Sequence, residues 1–132
     1  MIAPRVLLAD DQEEVLQTLS EFLADQFQIV GTAENGMRVL ERTRSLAPDI
    51  VVLDICMPVM NGIEAARCLR EQCQPVRVVF LTAYEDTDFA EAAMSAGALG
   101  YVLKSRLATD LIPAIWKAFV GEIFVSPSIH LA

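Results

Sequence analysis

Five polar side chains stand where short apolar runs end. Asp10 and Asp11 close the run Val-Leu-Leu-Ala, and Asp54 closes Ile-Val-Val-Leu. Thr82 and Lys104 end two later runs. If these runs are parallel strands, their carboxyl ends share one edge of the sheet, because each crossover connection returns the chain in the same direction. The sequence therefore predicts three carboxylates, one hydroxyl and one ammonium at that edge.

The chemistry of such a group follows from its charges. Clustered carboxylates repel one another and lose water at high cost unless a cation joins them. Their hard oxygens suit Mg²⁺, which keeps several waters and shares its coordination with phosphate. A carboxylate, a metal, a hydroxyl and a lysine together can stabilise a phosphoryl group in transfer.

Each residue also has a simpler interpretation when it is taken alone. Asp11 could cap the first helix, since Glu14 lies three residues further on as in a capping box. Asp54 could cap the turn that follows it. Thr82 could be an ordinary strand residue, and Lys104 could be a solvated surface charge. Independent caps would scatter to both ends of the sheet, so the gathering at one edge favours the functional interpretation.

Alternating strand and helix patterns predict the elements that hold these side chains. Helices are predicted after Asp11, from Asn35-Gly36, from Asn61-Gly62 and before Gly97. A last helix is predicted to be capped by Thr109 and to run to about residue 120, with Pro113 in or near its first turn. Predicted strands cover residues 6–9, 29–30, 49–54, 76–81 and 99–103.

Composition limits the classes of protein that fit. The 132 residues, 54% of them hydrophobic, indicate one compact domain, and the net charge of −8 argues against nucleic-acid binding by this chain itself. Disorder, a membrane span and a signal peptide are not supported, since apolar content is high but no apolar run reaches roughly 18 residues. The three cysteines, Cys56, Cys68 and Cys73, lack metal-ligand spacing and predict reduced thiols in a cytoplasmic protein.

Four stretches carry a family resemblance. They are Asp10-Asp11, the nonapeptide Asp-Ile-Cys-Met-Pro-Val-Met-Asn-Gly from Asp54, Thr82-Ala83, and Gly-Tyr-Val-Leu-Lys ending at Lys104. The chain resembles the receiver domain of bacterial two-component response regulators over about residues 5–121. The resemblance implies an α/β, flavodoxin-like (CheY-like) fold, with a five-stranded parallel sheet in the order 2-1-3-4-5 and helices on both faces.

The resemblance also implies how the pocket would work. Asp54 would accept a phosphoryl group from a phosphohistidine of a sensor histidine kinase. Asp11 and Asp54 would coordinate Mg²⁺ directly, with the backbone carbonyl of Cys56 as a third ligand. Asp10 would act mostly through water. Lys104 would pair with the acceptor carboxylate and later with the phosphoryl oxygens.

A switch is implied as well. A phosphoryl group on Asp54 adds negative charge and strong acceptor oxygens, which would draw Thr82 and Lys104 toward it. Tyr101 could turn inward into the room that Thr82 leaves, which would couple the pocket to the face of the fourth helix, fifth strand and fifth helix. The alternative is that Tyr101 is a packed aromatic side chain. No turnover of an external substrate is expected, so the chain is not predicted to be an enzyme.

Two features depart from most receivers. Ser105 rather than proline follows Lys104, and a non-proline cis peptide costs about 3 kcal/mol, which leaves the geometry of this turn open. Cys56 and Tyr84 occupy the positions that flank the path of an attacking water. Neither is a carboxamide or carboxylate that could orient that water. We therefore expect the phosphoryl group to be lost slowly, over hours rather than seconds.

The end of the chain points to a class of regulator. Lys104-Ser105 and residues 121–129 resemble the NarL/FixJ (LuxR-type) class, in which a short linker leads to a helix-turn-helix DNA-binding domain. Residues 1–121 are assigned to the receiver domain, and 122–132 to the start of a linker or a C-terminal tail. The implied partners are a sensor kinase, a possible second copy, and DNA through a further domain, but no membrane. The alternative is a stand-alone receiver that acts by protein–protein interaction.

Apolar residues collect late in the chain, from Leu111 to Val125. They exceed what contact with one sheet face requires, so they predict either an interface or an enlarged core.

Three rival interpretations differ in their chemistry. A flavodoxin would hold a flavin phosphate after the first strand, where the acids from Asp10 to Glu14 would repel it. A haloacid-dehalogenase-type phosphatase would need a second aspartate two residues after a nucleophile on the first strand, where Gln12 stands. A degenerate receiver that only binds partners is disfavoured, because the acceptor, the metal carboxylates, the threonine and the lysine are all present.

Overall fold

Strands and helices alternate along the chain in the computed structural model, which describes residues 3–72 and 74–129. The strands are Arg5–Ala9 (β1), Gln28–Ala33 (β2), Ile50–Leu53 (β3), Arg77–Thr82 (β4), Gly100–Leu103 (β5) and Phe124–Val125 (β6). The helices are Glu13–Leu23 (α1), Gly36–Leu46 (α2), Gly62–Glu71 (α3), Thr87–Ser95 (α4) and Leu107–Phe119 (α5), and a 3₁₀ turn, Lys104–Arg106, joins β5 to α5.

The sheet is parallel throughout, in the order β2-β1-β3-β4-β5-β6. Successive residues of the central strands alternate between two cores: Leu7 and Phe80 pack with α2, α3 and α4, whereas Leu8 and Val79 pack with α1 and α5. This two-sided burial is why β3 and β4 read as nearly continuous apolar runs. In the described part of the chain, no helix is long and apolar enough to cross a membrane.

The predicted strand order is confirmed for the first five strands, but the five-strand count was wrong. Phe124 and Val125 form a sixth strand opposite Gly100 and Tyr101 of β5. A two-residue strand has no periodicity that a sequence pattern could show. It lies within residues 122–132, the stretch assigned to a linker or tail.

The predicted start of the last helix was also wrong. α5 begins at Leu107, so Thr109 lies inside its first turn, and Pro113 is the seventh helical residue, in the second turn. The 3₁₀ turn before the helix explains the shift, because the Leu107 N–H already donates to the Lys104 carbonyl and no side-chain cap is needed there. The peptide between Lys104 and Ser105 is trans, as are all the peptides that the structure describes.

Candidate functional site

The carboxyl ends of three strands bring Asp10, Asp54 and Lys104 together. Asp10 follows β1, Asp54 follows β3 and Lys104 follows β5. The Lys104 Nζ lies 3.0 Å from Asp10 Oδ2 and 3.2 Å from Asp54 Oδ2, so one ammonium bridges both carboxylates. Asp10 is 2% exposed and Asp54 is 8% exposed. Burial at this depth requires the pairing, since an isolated buried carboxylate would lose its hydration without return.

A third carboxylate completes the predicted acidic pocket. Asp10, Asp11 and Asp54 each offer an oxygen, and these oxygens lie within 4.8 Å of one another. Burial raises the pKa of Asp54 and the charge of Asp10 raises it further, against the opposing effect of Lys104. Asp11 is exposed, which leaves this side of the pocket open to water. The donor set fits Mg²⁺, a hard cation that keeps part of its hydration.

The capping alternative for Asp11 is not realised. Gln12 occupies the N-cap position of α1, without a side-chain cap, and Asp10 Oδ1 accepts the Gln12 N–H at 2.9 Å. Asp11 is therefore left at the mouth of the pocket. The role of the Cys56 carbonyl as a metal ligand stays a prediction.

A tight loop fixes the backbone of the acceptor. The Gly62 N–H donates to the Ile55 carbonyl at 2.8 Å, which folds the start of α3 back against the end of β3. A Cβ at Gly62 would overlap the Asp54 carbonyl oxygen, so only glycine allows this approach. Val59 adopts φ 71°, a costly conformation for a β-branched residue. The loop is therefore held by its surroundings rather than by local preference.

Thr82 and Tyr101, the two residues predicted to form the switch, are both fully buried. Thr82 ends β4 opposite Leu103, the residue before Lys104. Its Oγ1 accepts the Tyr84 N–H at 3.2 Å, and the Tyr101 hydroxyl donates to the Tyr84 carbonyl at 2.8 Å. Burial, with a smaller effect of Asp86, raises the pKa of Tyr101 to about 12. Tyr101 thus points inward in this structure, and its role as a switch stays a prediction.

Cys56 and Tyr84, predicted to flank the path of water, touch each other. Cys56 Sγ lies 2.9 Å from the Tyr84 hydroxyl oxygen. The Tyr84 ring stacks on Phe89 of α4, with ring centroids 4.7 Å apart. The sequence placed the two residues but held no signal for the contact, which joins loops that follow different strands. Cys56 and Cys68 are not joined in a disulfide, and Cys73 lies outside the described residues.

Two buried polar residues beside the lysine were not anticipated from the sequence. Ser126 Oγ accepts the Leu103 N–H at 3.1 Å and donates to Asp110 Oδ2 at 2.9 Å. Arg106 Nε donates to the same carboxylate oxygen at 2.8 Å. The only sequence signal was indirect: Asp110 falls among apolar residues of a helix, and Ser126 follows the apolar run Ile-Phe-Val.

Fold and site together define a doubly wound α/β domain with an acidic, lysine-bridged pocket at the carboxyl ends of its strands, where ligands of such sheets bind. The family model of the response regulator receiver domain matches residues 6–115 of this chain. The chain belongs to this family.

Relatives and solved structures agree with that assignment. The chain is 36% identical over 127 residues to the response regulator GacA of Pseudomonas viridiflava, covering 95% of this chain and 59% of the relative. It is 32% identical over 127 residues to the transcriptional regulatory protein LnrK of Bacillus subtilis (strain 168), covering 95% and 58%. The chain thus spans under three fifths of the length of these curated relatives.

Among solved structures, a LuxR-family two-component response regulator from Aurantimonas sp. SI85-9A1 superposes with a TM-score of 0.92 at 32% identity, covering 96% of this chain and 92% of that one. The signal receiver domain of the putative response regulator NarL from Mycobacterium tuberculosis gives 0.88 at 27% identity, covering 92% and 100%. The chain therefore shares its fold with receivers of the class that its terminal residues resemble.

Proposed function

We propose that this chain is a phosphorylatable receiver in which Asp54 takes a phosphoryl group from a phosphohistidine of a sensor kinase. The observation that carries the proposal is the Lys104 ammonium bridging Asp10 and Asp54 at 3.0 and 3.2 Å. Asp10, Asp11 and Asp54 would hold Mg²⁺, whose charge, when it is bound, offsets that of the phosphoryl oxygens. The cytoplasm, where sensor kinases present such groups, is the proposed location.

The residues of the pocket divide the work of transfer. An oxygen of the Asp54 carboxylate attacks phosphorus while the bond from phosphorus to the histidine nitrogen breaks, and that nitrogen keeps the bonding electron pair. Lys104 lies against the acceptor before transfer and neutralises phosphoryl oxygens during it. It also opposes the burial that raises the pKa of Asp54, which favours the ionised, nucleophilic form. No external substrate is turned over.

A signal would leave the pocket through Thr82. Its hydroxyl now accepts from the Tyr84 N–H, and an aspartyl phosphate would attract that hydroxyl as a donor. Tyr84 also holds the Tyr101 hydroxyl through its carbonyl, so displacement of this backbone changes the support of Tyr101. We infer that the face formed by α4, β5 and α5 responds to phosphorylation.

The proposed output is transcription through a further, LuxR-type DNA-binding domain. Relatives of greater length include a protein named as a transcriptional regulator, and a superposed structure is described as LuxR family. Val120 and Ile123, 65% and 61% exposed, offer an apolar surface at the end of α5 for a second copy. A stand-alone receiver that acts by protein–protein interaction is the alternative.

Acetyl phosphate with Mg²⁺ tests the proposal without the partner kinase. The wild-type protein and Asp25→Asn, an exposed aspartate outside the pocket, should both gain a slower band on a phosphate-affinity gel. Asp54→Asn should gain none, and excess EDTA should abolish the shift in the wild type and in Asp25→Asn. A shift that survives in Asp54→Asn would contradict the assignment of the acceptor.

A further inference from the structure

The segment after α5 closes a ring of hydrogen bonds around the turn that carries Lys104. β6 pairs with β5, and the next residue, Ser126, donates its N–H to the Tyr101 carbonyl at 2.9 Å. The Ser126 hydroxyl oxygen accepts the Leu103 N–H at 3.1 Å. Leu103 is the last residue of β5 and directly precedes Lys104. One serine therefore fixes the backbone at the point where the lysine leaves the sheet.

The other side of the turn is fixed by Asp110. Its Oδ2 accepts the Ser126 hydroxyl at 2.9 Å and Arg106 Nε at 2.8 Å, and Thr109 Oγ1 lies 3.1 Å from its Oδ1. Ser126 is fully buried and Asp110 is 5% exposed. These hydrogen bonds outweigh the effect of burial and hold the pKa of Asp110 below its ordinary value. Two buried polar side chains, Ser126 and Asp110, thus join Leu103, which precedes Lys104, to Arg106, which ends the 3₁₀ turn.

The position of the Lys104 side chain requires that the backbone of its turn be held in place. The Lys104 side chain is 29% exposed, and its ammonium must reach two carboxylates at once. The following residue, Ser105, is exposed and does not restrict the backbone as proline would. A misplacement of about 1 Å in a catalytic group can cost about 100-fold in rate. Other residues must therefore hold the backbone of this turn, and the ring of hydrogen bonds through Ser126 and Asp110 holds it.

We propose that Ser126 and Asp110 are positioning residues for Lys104, so that the segment after α5 takes part in phosphorylation of Asp54. This inference rests on the proposed function, and it assigns to the start of the predicted linker a role inside the receiver. Ser126 acts through the Leu103 N–H, and Asp110 acts through Arg106. Neither touches the phosphoryl group.

Ser126→Ala, with Ser128→Ala as its matched control, tests the proposal. Ser128 lies in the same segment but is exposed. When acetyl phosphate is titrated at saturating Mg²⁺, Ser126→Ala should lower the maximal rate of Asp54 phosphorylation about tenfold, with the half-saturating acetyl phosphate concentration unchanged. Ser128→Ala should match the wild type. Equal rates for both variants would overturn the proposal.

A double-mutant cycle separates positioning from a general loss of structure. In a Lys104→Gln background, Ser126→Ala should cause no further loss of rate, because its effect passes through the lysine. An undiminished loss in that background would overturn the proposal. If Ser126→Ala fails to fold, as judged by circular dichroism, Asp110→Asn takes its place in the cycle. That variant keeps the side-chain shape but loses the charge that holds Arg106.

Nuclear magnetic resonance of the unphosphorylated protein gives a readout independent of transfer. The side-chain ε-carbon resonance of Lys104 should move in Ser126→Ala and stay in place in Ser128→Ala. An unmoved resonance in Ser126→Ala would overturn the proposal. If the Lys104 resonance moves in Ser126→Ala but the wild type is not phosphorylated at Asp54, only the proposed function fails.

Discussion

Thr82 and Tyr101 are joined through the backbone of a single residue, Tyr84. The N–H of Tyr84 donates to Thr82 Oγ1 at 3.2 Å, and its carbonyl accepts from the Tyr101 hydroxyl at 2.8 Å. Both side chains are fully buried, so neither exchanges these partners for water at small cost. In the proposed function, this link carries a change at Thr82 to the face formed by α4, β5 and α5.

Removing the Tyr101 hydroxyl should uncouple the response from phosphorylation. Tyr101→Phe keeps the buried ring but loses the bond to the Tyr84 carbonyl. We expect Asp54 to be phosphorylated at the wild-type rate, with smaller amide shift changes in α4, β5 and α5 on phosphorylation. Tyr101→Ala should show the same split, at a stability cost of about 3–5 kcal/mol for the cavity. Equal loss of phosphorylation and response would show that Tyr101 is only a packed aromatic.

The phosphorylated protein should be long-lived. Cys56 and Tyr84 contact each other beside the acceptor, and neither can orient a water for in-line attack. Decay of the phosphorylated protein with Mg²⁺ present should take hours. Cys56→Asn supplies a carboxamide and should speed the decay. Cys68→Ser, which replaces a free thiol on α3, should leave the decay rate unchanged. A wild-type half-life of seconds would contradict this account.

Mg²⁺ should stabilise the folded chain through the acidic pocket. A ligand at ten times its Kd that binds only the folded state adds about 1.4 kcal/mol to the free energy of unfolding. Urea titrations should show this gain for the wild type and for Asp25→Asn. Asp11→Asn removes one of the three clustered carboxylates and should lose most of the gain. Equal stabilisation of Asp11→Asn would place the ion elsewhere.

Lowering the pH should weaken the hydrogen bonds of Asp110 in the ring around the Lys104 turn. Its pKa is lowered in the folded state, so it contributes stability above its unfolded value of 3.8, and that contribution is lost as the pH falls through the folded-state pKa. The effect of pH on the contribution of Asp54 to stability has the opposite sign, because the pKa of Asp54 is raised in the folded state. Asp110→Asn should therefore be less stable than the wild type at pH 7, with the gap closing below the unfolded value. Urea unfolding from pH 7 to below pH 3.8 measures the difference in the free energy of unfolding between the two proteins. A difference that stays constant with pH would contradict the prediction.

Residues at strand ends were predictable and contacts between loops were not. Asp10, Asp54 and Lys104 could be placed together because parallel strands share one carboxyl edge, a rule that needs only the order of apolar runs. The contact between Cys56 and Tyr84 depends on how two loops fold, which no periodicity encodes. Ser126 was missed for a related reason, since a two-residue strand precedes it and burial of a serine leaves no pattern in a single sequence.

Chemical mapping of the modified residue tests the central claim most directly. After treatment with acetyl phosphate and Mg²⁺, borohydride reduces an aspartyl phosphate to homoserine, which peptide mass spectrometry can place. We expect reduction at Asp54 alone, with Asp10 and Asp11 unmodified and no reduction when Mg²⁺ is withheld. Modification at Asp10 or Asp11, or none at Asp54, would contradict it.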